Sequence, residues 1–256
     1  MSLEYASRGL IGVLTPQANT TVEPELNLLW PPGVAMINAR LMSDKPSMSD
    51  RLVDYFANYE NSLRQFANAP VGVVVAACTG ASYLAGRERE AALVKEIAAR
   101  RGHPFTTAAL AVVDALRALK ARRIGLVSPY PDDLARASVA YWRSHDLDVV
   151  KVVNVADSAS SFHPIYGIGG SDALRALHGL ENDALDAIVM LGTGMPTLAP
   201  IAEMVGRAGP PVLSSNFCLA WRAVEALDQA EPRERSLRSW LKGEGWAARL
   251  AARQTG

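Results

Sequence analysis

The sequence predicts an α/β fold of two similar lobes, each a parallel four-stranded sheet covered by helices in the Rossmann-like (flavodoxin-like) manner. Two observations carry that expectation. Apolar runs of strand length alternate with amphipathic segments of helix length, the pattern of a mainly parallel sheet with helices on its faces. The runs also fall into two sets of four whose letters match in the same order, the signature of a duplication.

Strand one is expected at 10–14, an uninterrupted apolar run that leads through Thr15-Pro16 to a helix beginning near Val22. Strand two, 34–41, precedes a helix for which Ser49-Asp50-Arg51-Leu52 supplies the N-cap. Strand three, 71–77, ends in Cys78-Thr79-Gly80 and leads to a helix over roughly 86–100. Strand four, 105–107, opens a helix ending Val113-Asp114-Ala115-Leu116. The second set repeats these features. Strand five, 124–128, reads Ile124-Gly125-Leu126-Val127-Ser128-Pro129 where strand one reads Ile11-Gly12-Val13-Leu14-Thr15-Pro16. Strand six, 149–155, leads to a second cap at Ser171-Asp172-Ala173-Leu174. Strand seven, 187–191, ends in Gly192-Thr193-Gly194, and strand eight, 212–214, opens a helix ending Val224-Glu225-Ala226-Leu227. We assign 1–108 together with 217–256 to the N-terminal lobe and 109–216 to the C-terminal lobe.

Of 256 residues, 49% are apolar and 20% charged, the balance of an ordinary globular chain. The formal net charge is zero, which argues against nucleic acid and anionic membrane as partners. The early apolar run is too short to span a bilayer and lacks a signal-peptide cleavage pattern, so a cytoplasmic location is expected. Cys78 and Cys218 lie far apart, with no Cys-x-x-Cys or histidine cluster, so neither a disulfide framework nor a metal site is expected. The glycines of Tyr166-Gly167-Ile168-Gly169-Gly170 do not directly follow a strand, and no Walker loop, Gly-x-Ser-x-Gly elbow or His-Glu-x-x-His is present. No cofactor is expected.

Ligands of open α/β sheets sit beyond the carboxyl ends of the strands, which directs attention to Pro16, Gln17 and Asn19, to Cys78, Thr79 and Gly80, to Tyr130, and to Gly192, Thr193 and Gly194. Cys78 closes a buried strand before loop and helical N–H groups, where a thiolate is stabilised and its pKa falls; the alternative is a small core residue. Tyr130 is placed to donate to a carboxylate or oxyanion, or is a rim tyrosine. Asn19 can orient a carboxylate through its amide or cap the helix near Val22. His163, in the long connection after strand six, is a candidate lid residue acting as acid or carboxylate binder, or a solvated loop histidine. Cys218 lies on the apolar stripe of a helix and is expected to pack in the core.

Asn19-Thr20-Thr21-Val22-Glu23-Pro24-Glu25, Cys78-Thr79-Gly80 and Ser128-Pro129-Tyr130 together resemble the maleate cis–trans isomerase and arylmalonate decarboxylase branch of the aspartate/glutamate racemase superfamily. The resemblance runs over most of the chain and includes Met195-Pro196-Thr197-Leu198 and 212–215. It implies two lobes related by a pseudo-two-fold axis around a small carboxylic acid, no metal or organic cofactor, and an enediolate held by hydrogen-bond donors while a cysteine acts at carbon. Racemases and maleate isomerases of this kind carry one cysteine per lobe. The first corresponds to Cys78, whereas the second falls at Gly192.

With a single thiol, two-base racemisation is disfavoured. Asn19 and Cys78 match the isomerase subgroup, in which a thiolate adds to a maleate-like diacid, the single bond rotates, and elimination gives the trans isomer. A malonate-type decarboxylase is the second reading, with Cys78 protonating the enediolate. Known arylmalonate decarboxylases place their one cysteine in the other lobe, so this chain has the mirror arrangement. A cysteine hydrolase with His163 as base and a non-catalytic small-acid binder complete the alternatives. A homo-oligomer, dimer or tetramer, is expected.

Overall fold

The computed structural model describes residues 3–155, 164–180 and 184–254. The first half runs β1 (Gly9–Pro16), α1 (Val22–Leu29), β2 (Val34–Leu41), α2 (Met48–Ala57), α3 (Tyr59–Leu63), β3 (Val73–Ala76), α4 (Thr79–Ala85), α5 (Arg87–Arg101), β4 (Phe105–Thr107) and α6 (Ala108–Leu119). The second runs β5 (Arg123–Ser128), α7 (Asp132–Ser144), β6 (Asp148–Asn154), α8 (Gly170–His178), β7 (Ala187–Met190), α9 (Leu198–Met204), β8 (Val212–Ser214) and α10 (Ser215–Glu225). Three short helices close the chain: α11 (Pro232–Arg235), α12 (Leu237–Leu241) and α13 (Trp246–Gln254).

The sheets have the orders β2-β1-β3-β4 and β6-β5-β7-β8, and every pairing is parallel. The two halves therefore share one topology, as the repeated letters require. All eight strands lie where the apolar runs place them, differing only at their ends. The third strand of each half, β3 and β7, is four residues long and wholly buried, and the carboxyl ends of the two meet where Thr193 donates to the Ala77 carbonyl.

The helices depart from expectation in three places. The first cap is Ser47, whose Oγ accepts the N–H of Asp50 at 3.0 Å, so Ser49 lies inside the first turn of α2. Gly169 precedes α8, and Asp172 Oδ2 accepts the Gly169 N–H at 3.1 Å; Ser171 is again two residues too far in. The expected helix at 86–100 is present as α5, but a further helix, α4, which was not expected, precedes it. Gly86, at φ +78°, ends α4 in a conformation that L side chains adopt only with strain, and α5 starts afresh after it. Helical structure consequently begins at Thr79, immediately after Cys78.

One apolar core runs through both halves. Helices α6 and α10, each following the last strand of its sheet, pack against one another between the sheets. The buried face of α6 is rich in alanine (Ala108, Ala109, Ala111, Ala115), so the two backbones approach closely. Arg222 on α10 donates to Asp114 on α6 at 3.0 Å. Cys218 sits in this interface, fully buried, as its position on the apolar stripe of α10 requires. A second cluster covers the other face of the first sheet and includes Leu14, Tyr55, Tyr59, Ala76 and Cys78. Among the described residues no helix is long and apolar enough to cross a membrane.

Candidate active site

The carboxyl ends of β1, β3 and β7 are pinned together by bonds between the halves. Thr193 Oγ1 donates to the Ala77 carbonyl at 2.8 Å, Asn19 Nδ2 donates to Thr193 Oγ1 at 3.2 Å, and Thr21 Oγ1 donates to the Gly194 carbonyl at 2.8 Å. Thr79 Oγ1 and the Tyr130 hydroxyl share a 2.6 Å bond. Glu25 of α1 reinforces this seam. It accepts the N–H groups of Thr197 and Leu198 at 2.6 and 3.1 Å and Asn216 Nδ2 at 2.8 Å, while Asn216 also donates to the Thr193 carbonyl at 3.0 Å.

A cavity of about 60 Å³ lies at this convergence, lined by Pro16, Asn19, Cys78, Thr79, Gly80, Tyr130, Thr193 and Gly194 from the strand ends. Gln17 is not part of the lining: its Oε1 accepts the Ser43 N–H at 2.7 Å and fixes the turn after β2. His163 falls outside the described residues. Asn19 fills both roles open to it. Its Oδ1 accepts the N–H groups of Thr21 and Val22, at 2.9 and 3.1 Å, and so caps α1, while its amide nitrogen faces the site.

Cys78 is 3% exposed, and the backbone N–H groups of Gly80 and Ala81 bond to its sulfur. The expected fall in its pKa is not found. Removal from water costs a thiolate more than two N–H groups return, and the thiol is pushed up to about 11. Burial likewise raises Tyr130 far above the usual phenol range, which keeps it protonated and able to donate. Thr193 has its proton committed to Ala77, so the side-chain donors for a bound oxyanion at this end are the second Asn19 amide hydrogen and whichever of the Thr79 and Tyr130 hydroxyls does not donate within their shared bond.

Gly192 is more than a missing side chain. Its φ is +82°, and a methyl group built on it would lie 2.8 Å from Ile165 Cδ1 and 3.0 Å from Pro129 Cγ. The volume that a second thiol would need is occupied, and the backbone has the left-handed conformation that glycine tolerates best.

The remaining lining was not singled out in the sequence. Met48, Arg51, Leu52 and Tyr55 come from one face of α2, Leu134 from α7, and Ile165 and Tyr166 from the segment before α8. Arg51 and Tyr55 are each 3% exposed. The available signal was the spacing of Arg51 among Met48, Leu52 and Tyr55, which puts an arginine on the apolar stripe of a short amphipathic helix.

Comparison with known proteins places this architecture. The family model described as arylmalonate decarboxylase matches residues 11–237. A maleate isomerase of Nocardia farcinica is 29% identical over 230 residues, covering 85% of this chain and 90% of its own. The arylmalonate decarboxylase of Bordetella bronchiseptica is 28% identical over 237 residues, covering 87% and 92%. Among solved structures, a cysteine-to-serine variant of the Nocardia farcinica maleate cis–trans isomerase, with a covalently bound succinylcysteine intermediate, superposes with a TM-score of 0.73 at 25% identity over 87% of this chain and 96% of that one. The maleate isomerase Iso of Pseudomonas putida S16 shares the fold, with a TM-score of 0.76 at 23% identity over 86% and 93%. A match across 11–237, on a two-lobed fold shared with these structures, makes this chain a member of the arylmalonate decarboxylase family.

Proposed function

We propose that this protein is a cofactor-independent isomerase of maleate-like dicarboxylates in which Cys78 is the nucleophile. The observation that carries the reading is a thiol at the end of β3, lining a cavity beside the Thr79–Tyr130 hydroxyl pair, with no second cysteine among the described lining residues. The relative's succinylcysteine intermediate is a four-carbon diacid joined to a cysteine sulfur; being saturated it also carries a proton on the neighbouring carbon, which the enediolate of a one-thiol path does not.

The geometry supports a sequence that uses one thiol only. Cys78 sulfur forms a bond to one alkene carbon, and the π electrons move through the neighbouring carbon onto the carboxylate beside it. That carboxylate takes up the thiol proton and becomes a singly protonated enediolate, so no external base is consumed. The free proton of the Thr79–Tyr130 pair is available to the enediolate oxygens, and a preorganised donor of this kind stabilises such a state by roughly 3–4 kcal/mol. The former double bond is now single and rotates. Return of the proton to sulfur and cleavage of the carbon–sulfur bond release the trans diacid. Carbon is never protonated, which suits a site with glycine at position 192.

The second reading, decarboxylation of a malonate-type acid with Cys78 as proton donor, is favoured by the family model and by the use of a single thiol, here in the lobe opposite to that of the known decarboxylases. One experiment separates them: incubate the protein in deuterium oxide with maleate, substituted maleates and aryl- or alkylmalonates. Isomerisation yields trans product without gas and without deuterium on carbon, and Cys78→Ser lowers the rate by about a thousandfold or more. Carbon dioxide release with deuterium at the alpha carbon establishes the decarboxylase instead. Turnover that survives Cys78→Ser eliminates both.

A further inference from the structure

The reading above accounts for the strand ends but not for the wall that α2 contributes, where a cation is buried. Arg51 is the sole charged residue among the described residues lining the cavity, and it is 3% exposed. An arginine in the wall of a cavity brings a fixed positive charge and planar donors to whatever acid enters it. Its Nη1 donates to the Lys45 and Pro46 carbonyls at 3.0 and 2.9 Å, which fixes the guanidinium against the turn leading into α2. Its positive charge is felt at the hydroxyls of Tyr55 and Tyr166, both of which line the same cavity. One turn beyond Arg51, the buried Tyr55 hydroxyl lies near the Gln17 backbone but makes no well-formed hydrogen bond among the described residues. A guanidinium and a phenol at i and i+4, set in a wall otherwise apolar at Met48 and Leu52, are complementary to one small anion.

We infer that Arg51 and Tyr55 form a carboxylate subsite that holds the non-reacting end of the substrate, and that this subsite restricts the enzyme to acids whose second carboxylate stays ionised through the reaction. The inference rests on the proposed chemistry at Cys78 and deepens it. The reacting carboxylate meets Thr79 and Tyr130 at the strand ends, and the distal one meets α2 across the cavity. A charge held by Arg51 throughout is compatible with addition and elimination of sulfur, in which both carboxylates are retained. It opposes decarboxylation, because a carboxylate beside a buried guanidinium is stabilised in the state from which it would have to depart. Arg51 is thus a specificity-determining residue, separate from the group that attacks carbon.

The test uses the full chain and two saturated probes, succinate and its half-amide succinamate, which differ in one charge. In calorimetric titration the wild type binds succinate about tenfold or more tightly than succinamate. Arg51→Met reduces that ratio about tenfold, Arg51→Lys restores part of it, and the matching effect on maleate turnover falls on KM more than on kcat. General damage to the fold lowers both affinities together and leaves the ratio in place, and the wild-type ratio decides the matter even if Arg51→Met fails to fold. Equal affinity of the wild type for the two probes overturns the assignment, as does a ratio that Arg51→Met leaves intact. A protein that prefers succinate yet isomerises no diacid refutes the reaction and keeps the subsite, whereas an active isomerase indifferent to the probe's charge does the reverse.

Discussion

At the scale of single residues, position 192 bears on the proposed chemistry as directly as Cys78 does. A side chain there must adopt φ near +82° and displace Ile165 and Pro129. Gly192→Cys therefore does not restore a two-thiol site. The left-handed backbone and overpacking together cost about 2–4 kcal/mol, which chemical denaturation measures as a lowered midpoint at unchanged m. A variant as stable as the wild type would show that the loop readily rearranges. The other residue-scale expectation concerns the thiol itself. Burial pushes Cys78 up to about 11, so its thiolate fraction in the ligand-free protein keeps rising through alkaline pH. Alkylation by iodoacetamide should be slow at neutrality, still accelerating at about pH 10, and blocked by a bound dicarboxylate. Rapid labelling that levels off below about pH 8 would contradict the buried, desolvated environment. Asn19, Thr79 and Tyr130 were legible in the sequence because each stands next to a strand end. Arg51 was not, because a charged residue in an amphipathic helix ordinarily belongs to its solvated face, and only packing reveals which face is turned inward.

At the scale of elements, α1 and the β7–α9 connection are joined through Glu25. Its carboxyl group gathers two backbone N–H groups and an amide from the other half, although burial still raises its pKa above the ordinary carboxylate range. Glu25→Ala leaves those donors unsatisfied in the core, at a cost of about 2–5 kcal/mol. Because Asn216 also holds the Thr193 carbonyl, the loop from Gly192 to Gly194 loosens with it. Thermal unfolding and maleate KM are expected to worsen together, and a stability loss with unaltered KM would confine Glu25 to a structural role. The element boundaries show where sequence reading succeeds and fails. Strands were accurate because runs such as 73–77 are apolar on both faces, as a sheet buried on both sides demands. The caps of α2 and α8 were misplaced because Ser47 and Ser49 stand two residues apart and Gly169 has no side chain to signal a start. Helix α4 was missed because Gly80 and Gly86 read as loop, whereas Gly80 sits where a methyl group would lie 2.8 Å from Leu52 Cδ1.

At the scale of the whole molecule, the continuous core through α6 and α10 predicts that the two halves unfold as one unit. Trp30 is buried in the first half and Trp142 in the second. Their fluorescence, isolated by replacing the other tryptophans with phenylalanine, should report a single coincident transition in denaturant. Two separated transitions would mean that each half is stable by itself. The duplication was visible in the sequence through its matched motifs. The sharing of one core was less so, because the letters of α6 and α10 say that each is buried without saying against what.

That repeated sheet order has a historical consequence. A half with this topology and an apolar helix after its last strand has a greasy flank to hide, and before fusion the partner available to every such half was its own twin. The ancestral assembly would then have been symmetric, with whatever stood at the end of the third strand present twice. Joining the genes removed that obligation and let the equivalent positions evolve apart. Sulfur at Cys78 on one side and bare backbone at Gly192 on the other are what such freedom would leave at two equivalent positions.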